Sequence, residues 1–265
     1  MRSFAFNAFF YGYTVLFALF LIPLTVVPGR SVMAWGLRSW GRVVVWMMRR
    51  IGGMEVEVRG REFVPASGPS LIASKHQSEA DGMVMAAEVP DIAFVAMREL
   101  WAYPLVGTIL RKLEMIRVDT CGGGRERENL STFARRAFDA GRNIAIYPEG
   151  HLMPVGEKER YRTGIYYLYR DLNLPVVPVA HCLGLVWPER NWRKRPGRAI
   201  LEFLPPIETG LDRDAFMRRL EDAIEDRTAL LVSEVTGQPP VAARFRIKFP
   251  EQARAGAPTA PRAAP

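Results

Sequence analysis

Short apolar segments recur along the chain and alternate with longer amphipathic ones. Seven runs have the length and side chains of β-strands: Met54–Val58, Ser70–Ala73, Ile92–Ala96, Met115–Val118, Asn143–Tyr147, Pro175–Ala180 and Ala199–Leu204. Helical periodicity covers the segments between or after them: Ala80–Glu88, Leu100–Leu113, Arg127–Ala140, Tyr161–Asp171 and Arg213–Val235. This alternation predicts an α/β fold, with a mixed, mainly parallel sheet flanked by helices.

The N-terminal segment has a different pattern. From Phe4 to Val27 there is no Asp, Glu, Lys or Arg, and aromatic residues are frequent. As a helix these 24 residues would extend about 36 Å, enough to cross the apolar core of a bilayer. A helix lying in one leaflet is an alternative. A cleaved signal peptide is disfavoured, because only Arg2 precedes the run and no small-residue cleavage site follows it. Pro23 is expected to kink or end the helix.

A second helix is predicted over Trp35–Arg50. Arg38, Arg42 and Arg49 lie on one side of it, and most of its apolar residues lie on the other. It is either an ordinary surface helix or an interfacial helix with its arginines on lipid phosphates. Because basic residues follow the apolar run rather than precede it, the positive-inside rule places the bulk of the chain in the cytoplasm.

Composition divides the chain into three parts. We expect membrane-anchoring helices at 1–50, an α/β domain at 51–237 and a Pro/Ala/Arg-rich tail at 238–265 that is disordered past Pro250. The net charge of +8 favours anionic partners. The two cysteines show no paired spacing, so neither a disulfide framework nor a cysteine-based zinc site is predicted.

Candidate acid–base chemistry follows the second predicted strand. His76 comes directly after it, where an α/β sheet binds its ligands, and Asp81 lies five residues further on. If His76 lies on the turn and Asp81 in the first helical turn, the carboxylate fixes the imidazole tautomer and the other ring nitrogen becomes a base. Two plainer explanations stay open: His76 is a surface histidine, and Asp81 caps the helix together with Ser78.

Two further segments follow later strands. Tyr147-Pro-Glu-Gly150 predicts a tight turn that presents the carboxylate of Glu149 and backbone amides, although an ordinary β-turn would have the same sequence. Val176-Val-Pro-Val-Ala180 predicts a buried strand, and His181 after it is expected to be a core histidine with its hydrogen bonds satisfied.

In this order the segments resemble the 1-acylglycerol-3-phosphate acyltransferase family. The run GPSLIASKHQSEADG is similar to its first motif, MIRVD to its second, YPEG to its third and VVPVA to its fourth. The resemblance implies a glycerol-3-phosphate acyltransferase-like fold, with His76 and Asp81 as the catalytic pair. It also implies acceptor binding by Glu149 and Gly150.

The third and second motifs depart from the family pattern at the arginines that are expected to bind the phosphate of the acceptor. YPEG is usually followed by Thr-Arg, but here His151 and Leu152 follow; the second motif usually ends in Asp-Arg, but here Thr120 follows Asp119. We expect other arginines to hold an acceptor phosphate, and His151 to hydrogen-bond the acceptor. The candidates, with Arg117 foremost, are Arg117, Arg125, Arg127, Arg160 and Arg162.

The resemblance implies a membrane-associated enzyme at the cytoplasmic face of the cell inner membrane. It would move a fatty acyl group from acyl-CoA or acyl carrier protein to the free hydroxyl of 1-acyl-sn-glycerol 3-phosphate, without a cofactor. One alternative acceptor is a lyso-lipid that lacks the phosphate, such as a lyso-aminolipid. A second alternative is a lipid ester or thioester hydrolase. A nucleic-acid binder is disfavoured, because no nucleic-acid motif accompanies the basic charge.

Overall fold

A computed structural model of the chain describes residues 2–65, 68–119 and 123–246, with backbone alone at 123–127. Its helices are α1 (Arg2–Leu21), α2 (Ser31–Met47), α3 (Ala80–Glu88), α4 (Pro104–Lys112), α5 (Gly123–Asp139), α6 (Gly164–Leu172) and α7 (Arg213–Thr236). Its strands are β1 (Met54–Arg59), β2 (Leu71–Ser74), β3 (Ile92–Met97), β4 (Ile116–Val118), β5 (Asn143–Ile146), β6 (Glu157–Lys158), β7 (Val176–His181), β8 (Gly197–Phe203) and β9 (Arg244–Phe245).

Seven strands form one sheet in the order β1-β8-β7-β2-β5-β3-β4. Every pairing in it is parallel except that of β7 with β8. The predicted fold class, a mainly parallel sheet flanked by helices with an apolar N-terminal helix, is therefore confirmed.

The two faces of the sheet bury largely different helices, although α7 contributes to both, because successive side chains of a strand point to opposite faces. In β2, Ile72 packs in the cluster that includes side chains of α1, α2 and α3. Leu71 and Ala73 pack on the other face, with side chains of α5, α6 and α7. This alternation decides where the residues after β2 point.

Helix α1 packs in the same buried cluster as Ile72. Its Phe6 and Phe10 are buried and each meets the ring of Trp187 edge-on, with centroids 5.3 Å apart. Leu21, at its other end, packs with Met33 and Leu113. The domain boundary at residue 50 stays a prediction, and α1 shares its buried face with the α/β body.

Two local features differ from the expected elements. The helix expected from Leu100 is split: a 3₁₀ turn covers Arg98–Ala102, and α4 begins at Pro104. A proline fits the first turn of a helix but pushes the preceding residue out of the helical region, and Tyr103 is extended. In the predicted tail, β9 pairs with β6, whereas residues 247–265 lie outside the described part.

Candidate active site

Three of the four motifs meet at one edge of the sheet. Strand β2 pairs in parallel with β5 on one side and with β7 on the other. The carboxyl ends of these strands therefore lie together, and each leads into one motif. His76 follows β2, Glu149 follows β5, and His181 ends β7.

His76 and Asp81 are in contact. His76 Nδ1 lies 3.1 Å from Asp81 Oδ2, with His76 on the turn before α3 and Asp81 in its first turn. Asp81 is fully buried, whereas the His76 side chain is 24% exposed. An aspartate on Nδ1 fixes the tautomer and leaves Nε2 as the basic nitrogen.

Asp81 also binds the turn before α3, which includes the Ser78 contact that a capping box would have. Its Oδ2 accepts hydrogen bonds from the backbone amides of Gln77 (2.8 Å) and Ser78 (3.0 Å). Burial alone would raise the pKa of this carboxyl, but His181 and His76 beside it outweigh burial and lower the pKa to about 2. The carboxylate therefore stays charged beside His76 at neutral pH.

An aromatic ring supports the imidazole. Tyr147, the first residue of the YPEG turn, stacks on His76 with ring centroids 4.1 Å apart and planes 21° apart. The ring of Phe94, a residue of β3, lies parallel to the ring of Tyr147. The His76 ring is thus held by Asp81 at its edge and by Tyr147 on its face.

His76 faces a cleft of about 870 Å³. Most of the wall is apolar, with side chains from α2, α3, β3 and α4: Leu37, Trp40, Met83, Phe94 and Leu110. The polar residues of the wall include Glu79, Asp119 and Arg162. An apolar cleft with a few polar groups beside one base suits a ligand with a long apolar part and a small polar head.

Of the arginines proposed to bind the phosphate, one lines the cleft and others do not. Arg162 lines it, and its Nη2 lies 3.1 Å from His151 Nε2. Arg117, the foremost candidate from the sequence, is exposed on β4 and does not line the cleft. Arg160 does not line it either, and the side chain of Arg125, like that of Arg127, lies outside the described part.

Gly150 makes room for Arg162. The glycine has a φ of +73°, and a Cβ there would lie 2.5 Å from Arg162 Nε. The backbone amide of Arg162 also donates to the carbonyl of Pro148 at 2.8 Å. The YPEG turn thus places a guanidinium next to itself even though Leu152 is not an arginine.

Glu149 differs from the expectation that the turn presents its carboxylate. The residue is fully buried and faces away from the cleft. Its Oε1 accepts from Lys75 Nζ at 2.6 Å, and its Oε2 accepts from the backbone amide of His76 at 3.0 Å. Burial outweighs the nearby Lys75 and raises the pKa of Glu149.

Sequence reasoning missed the polar residues behind the site. Lys75 and Glu225 are buried and in contact, and His181, expected as a core histidine, is also 3.4 Å from Asp81. The sequence does contain a feature that points to Glu225: it is a charged residue next to Ile224 on the apolar face of α7. Another feature points to Lys75, a charged residue directly after a buried strand.

Within the part of the chain that the structure describes, no group of three or more His, Cys, Asp or Glu side chains is placed to hold a metal ion.

Comparisons with known proteins show the family to which the chain belongs. The Acyltransferase family model matches residues 55–182. The 1-acyl-sn-glycerol-3-phosphate acyltransferase of Pseudomonas aeruginosa is 32% identical over 191 residues, which are 72% of this chain and 72% of the relative. The alpha form of the Mus musculus enzyme of that name is 25% identical, over 86% of this chain and 80% of the relative.

A solved structure shares the fold. The 1-acyl-sn-glycerophosphate acyltransferase of Thermotoga maritima superposes with a TM-score of 0.72 and 18% identity, covering 88% of this chain and 98% of that chain. With the sequence relatives, this fold and the motifs at its sheet edge show that the chain is an acyltransferase of the 1-acyl-sn-glycerol-3-phosphate acyltransferase family.

Proposed function

We propose that this enzyme acylates the free hydroxyl of 1-acyl-sn-glycerol 3-phosphate to make phosphatidic acid, with acyl-CoA or acyl carrier protein as the donor. The observation that carries the proposal is the His76–Asp81 pair at the wall of an apolar cleft that also contains Arg162. In this arrangement the base accepts the proton of the hydroxyl, the apolar wall contacts an acyl chain and the guanidinium binds the phosphate.

The proton path follows from the geometry. Asp81 holds Nδ1–H, so Nε2 of His76 takes the proton of the acceptor hydroxyl while the oxygen attacks the thioester carbonyl carbon. The C–S bond then breaks, and the imidazolium returns its proton to the leaving thiolate. The new C–O bond replaces the C–S bond, and no covalent acyl-enzyme is needed.

Arg162 is our candidate for the acceptor phosphate. It occupies the side of the YPEG turn next to His151 and lines the same cleft as His76. Arg162→Ala should raise the KM for lysophosphatidic acid about 10- to 150-fold, the equivalent of a charge-assisted hydrogen bond of about 1.5–3 kcal/mol. The KM for the acyl donor should change little.

Arg160→Ala is the matched control, because it removes an exposed arginine of the same loop that does not line the cleft. Equal KM values for lysophosphatidic acid in the two variants would contradict the role of Arg162. Faster acylation of a lyso-aminolipid than of lysophosphatidic acid by the unmodified enzyme would favour the acceptor without a phosphate.

We propose that α1 lies in one leaflet rather than crossing the membrane. The segment Arg2–Val26 is long and apolar enough to span. However, Phe6 and Leu21 both pack on the folded body, and they lie about 22 Å apart along the helix. A crossing helix could not keep both contacts with a body on one side of the bilayer, whereas a helix parallel to the surface can.

The exposed face of α1 fits this orientation. Phe9, Leu16 and Phe20 are 61%, 69% and 61% exposed, and Trp46 on α2 is 57% exposed. Large contiguous apolar surface is unusual on a soluble protein and marks contact with lipid or a partner. We place this face in the cytoplasmic leaflet of the inner membrane.

A basic loop borders the N-terminal end of α1. Trp192 stacks on Tyr11 with ring centroids 5.7 Å apart, and its carbonyl accepts a hydrogen bond from Asn7 at 2.8 Å. Arg193 and Arg195 are exposed beside it. A tryptophan with flanking arginines is suited to the headgroup layer, so we assign this loop to anionic lipid.

Flotation with vesicles tests the membrane arrangement. Replacing Phe9, Leu16 and Phe20 together by Gln should release the enzyme from anionic vesicles. Replacing Arg193 and Arg195 by Ala should weaken binding mainly at low salt, because exposed charges are screened within about 10 Å at 0.1 M salt. Unchanged vesicle binding by the triple Gln variant would contradict the placement of α1 in one leaflet.

A further inference from the structure

The peptide that joins Lys75 to His76 is held on both sides by side chains. The Lys75 carbonyl accepts from Ser74 Oγ at 3.0 Å and from His181 Nε2 at 2.7 Å. The His76 amide donates to Glu149 Oε2 at 3.0 Å. Since both groups belong to one planar unit, these bonds fix its tilt and therefore the direction in which the His76 ring projects.

The Lys75 side chain points the other way, into the interior. Its Nζ donates to Glu149 Oε1 at 2.6 Å, to the two carboxylate oxygens of Glu225 at 2.8 and 3.1 Å, and to the Glu157 carbonyl at 3.1 Å. The side chains of Lys75 and Glu149 are 0% exposed, and that of Glu225 is 7% exposed. Lys75 thus joins the YPEG turn to α7.

A buried cluster of this kind contributes geometry more than stability. One ammonium faces two carboxylates, and Tyr161 donates its hydroxyl to Glu225 Oε1 at 2.8 Å. Desolvation of buried charges offsets most of their attraction, so such clusters are a weak source of folding free energy. Their charge-assisted hydrogen bonds are short and directional, which is what a base held within about 0.5 Å of its productive position requires.

We propose that Glu225 is a positioning residue for His76. Acting through Lys75 and Glu149, it fixes the peptide that carries the base. Glu225 lies on α7, beyond the residues 55–182 that the family model matches, so the functional unit extends to the C-terminal helix. This inference rests on the proposed role of His76 as the base.

Helix α7 also contains the matched control. Glu234 binds Arg59 and Arg198 at the surface, and neither arginine lines the active-site cleft. The test is to measure kcat and KM of Glu225→Leu and of Glu234→Leu in the full-length, detergent-solubilised enzyme. Activity is normalised to the folded fraction.

Glu225→Leu should lower kcat about 10- to 100-fold, because a small misplacement of a catalytic group is enough for such losses. The KM for either substrate should stay within about twofold, since Glu225 does not line the cleft. Glu234→Leu should change neither parameter. Equal kcat values for the two variants per folded molecule would overturn the inference.

Two further variants keep the test decisive. Tyr161→Phe removes only the hydroxyl that holds Glu225, so it should fold even if Glu225→Leu does not, and it should lower kcat in the same direction. An unchanged kcat in Tyr161→Phe with Glu225→Leu unfolded would overturn the inference. The double variant Lys75→Met, Glu225→Leu should lose no more kcat than Lys75→Met alone; additive losses would overturn a chain through Lys75.

His76→Ala separates this inference from the proposed function. If His76→Ala keeps its turnover, the assignment of the base is wrong. If His76→Ala is inactive while Glu225→Leu and Tyr161→Phe turn over normally, only the positioning role of Glu225 is wrong.

Discussion

Two of the glutamates on helix α7, Glu225 and Glu234, bind basic side chains of the main sheet and its loops, one in the interior and one at the surface. Glu225 binds Lys75 with both partners almost fully buried. Glu234 binds Arg59 and Arg198, with side chains 28–42% exposed. The two clusters share their chemistry and differ in their access to water.

The difference in solvent access gives the clusters different consequences. An exposed ion pair is worth about 0.2–1 kcal/mol, and salt screens it. Breaking a buried pair by removing one partner costs about 3–5 kcal/mol, because the remaining charge is left without compensation. The interior cluster therefore constrains geometry, and the peptide of His76 is the group it constrains. The surface cluster tethers α7 to β1 and β8.

The largest expected effect lies at the proposed base, His76. His76→Ala should lower kcat about 10²- to 10⁴-fold with the fold intact, because that is the usual contribution of a general base. Asp81→Asn should also be severe if the carboxylate orients the imidazole. Initial-rate kinetics beside circular dichroism measures both variants. If Asp81→Asn loses stability but keeps its turnover per folded molecule, Asp81 acts only as a helix cap.

Removing the basic partner of each cluster comes next. Lys75→Met should cost about 3–5 kcal/mol of unfolding free energy, because two carboxylates remain buried without their cation. Arg59→Met should cost about 0.2–1 kcal/mol, as expected for an exposed pair. Chemical unfolding followed by tryptophan fluorescence measures both. Similar losses in the two variants would erase the contrast between interior and surface.

Much of this contrast could not be predicted from the sequence, although the elements could. Apolar runs located the seven strands of the main sheet, and the family resemblance of the His76–Asp81 and YPEG segments predicted the sheet edge where the candidate site lies. The contacts of Lys75 with Glu225 join residues 150 positions apart, and no local pattern encodes such a pairing. The burial of Glu149 was also hidden, because a Pro-Glu-Gly turn is compatible with a carboxylate on either side.

The phosphate site shows the same limit. The sequence indicated that two family arginines were replaced and offered five substitutes, with Arg117 foremost. Only the parallel pairing of β4 with β3 and the space beside Gly150 place Arg117 outside the cleft and Arg162 inside it. The sequence favoured Arg117 because it lies in the strand segment of the second motif, whereas in the structure Arg162, on the loop after YPEG, is the arginine that lines the cleft.

Acid should affect the two clusters with opposite sign. Hydrogen bonds from Arg59 and Arg198 lower the pKa of Glu234 from 4.5 to about 2. Its stabilisation is therefore present above pH 4.5 and lost as the pH falls toward 2. The destabilisation caused by Glu234→Gln should shrink over that window in unfolding experiments at a series of pH values.

Glu149 gives the opposite dependence. Its pKa is raised by burial, so its contribution is present at pH below the unfolded value and declines as the pH rises through the folded value. The destabilisation caused by Glu149→Gln should therefore be largest in acid. The same slope for Glu149→Gln and Glu234→Gln would be inconsistent with one carboxylate in a dry interior and one at the surface.

Salt should give the smallest effect. In 1 M NaCl the screening length falls to about 3 Å. The stability difference between the unmodified enzyme and Glu234→Gln should shrink there, whereas that for Glu225→Gln should stay constant. Equal salt sensitivity would mean that water and ions reach the Lys75 cluster.

Product analysis shows directly whether this enzyme makes phosphatidic acid. The full-length enzyme in detergent receives a labelled acyl donor, with lysophosphatidic acid and a lyso-aminolipid offered in parallel, and the lipid products are separated. Labelled phosphatidic acid should be the main product. It should be lost in His76→Ala and reduced at limiting acceptor in Arg162→Ala but not in Arg160→Ala. Labelled free fatty acid as the main product, or acylation of the lyso-aminolipid alone, would contradict the proposed function.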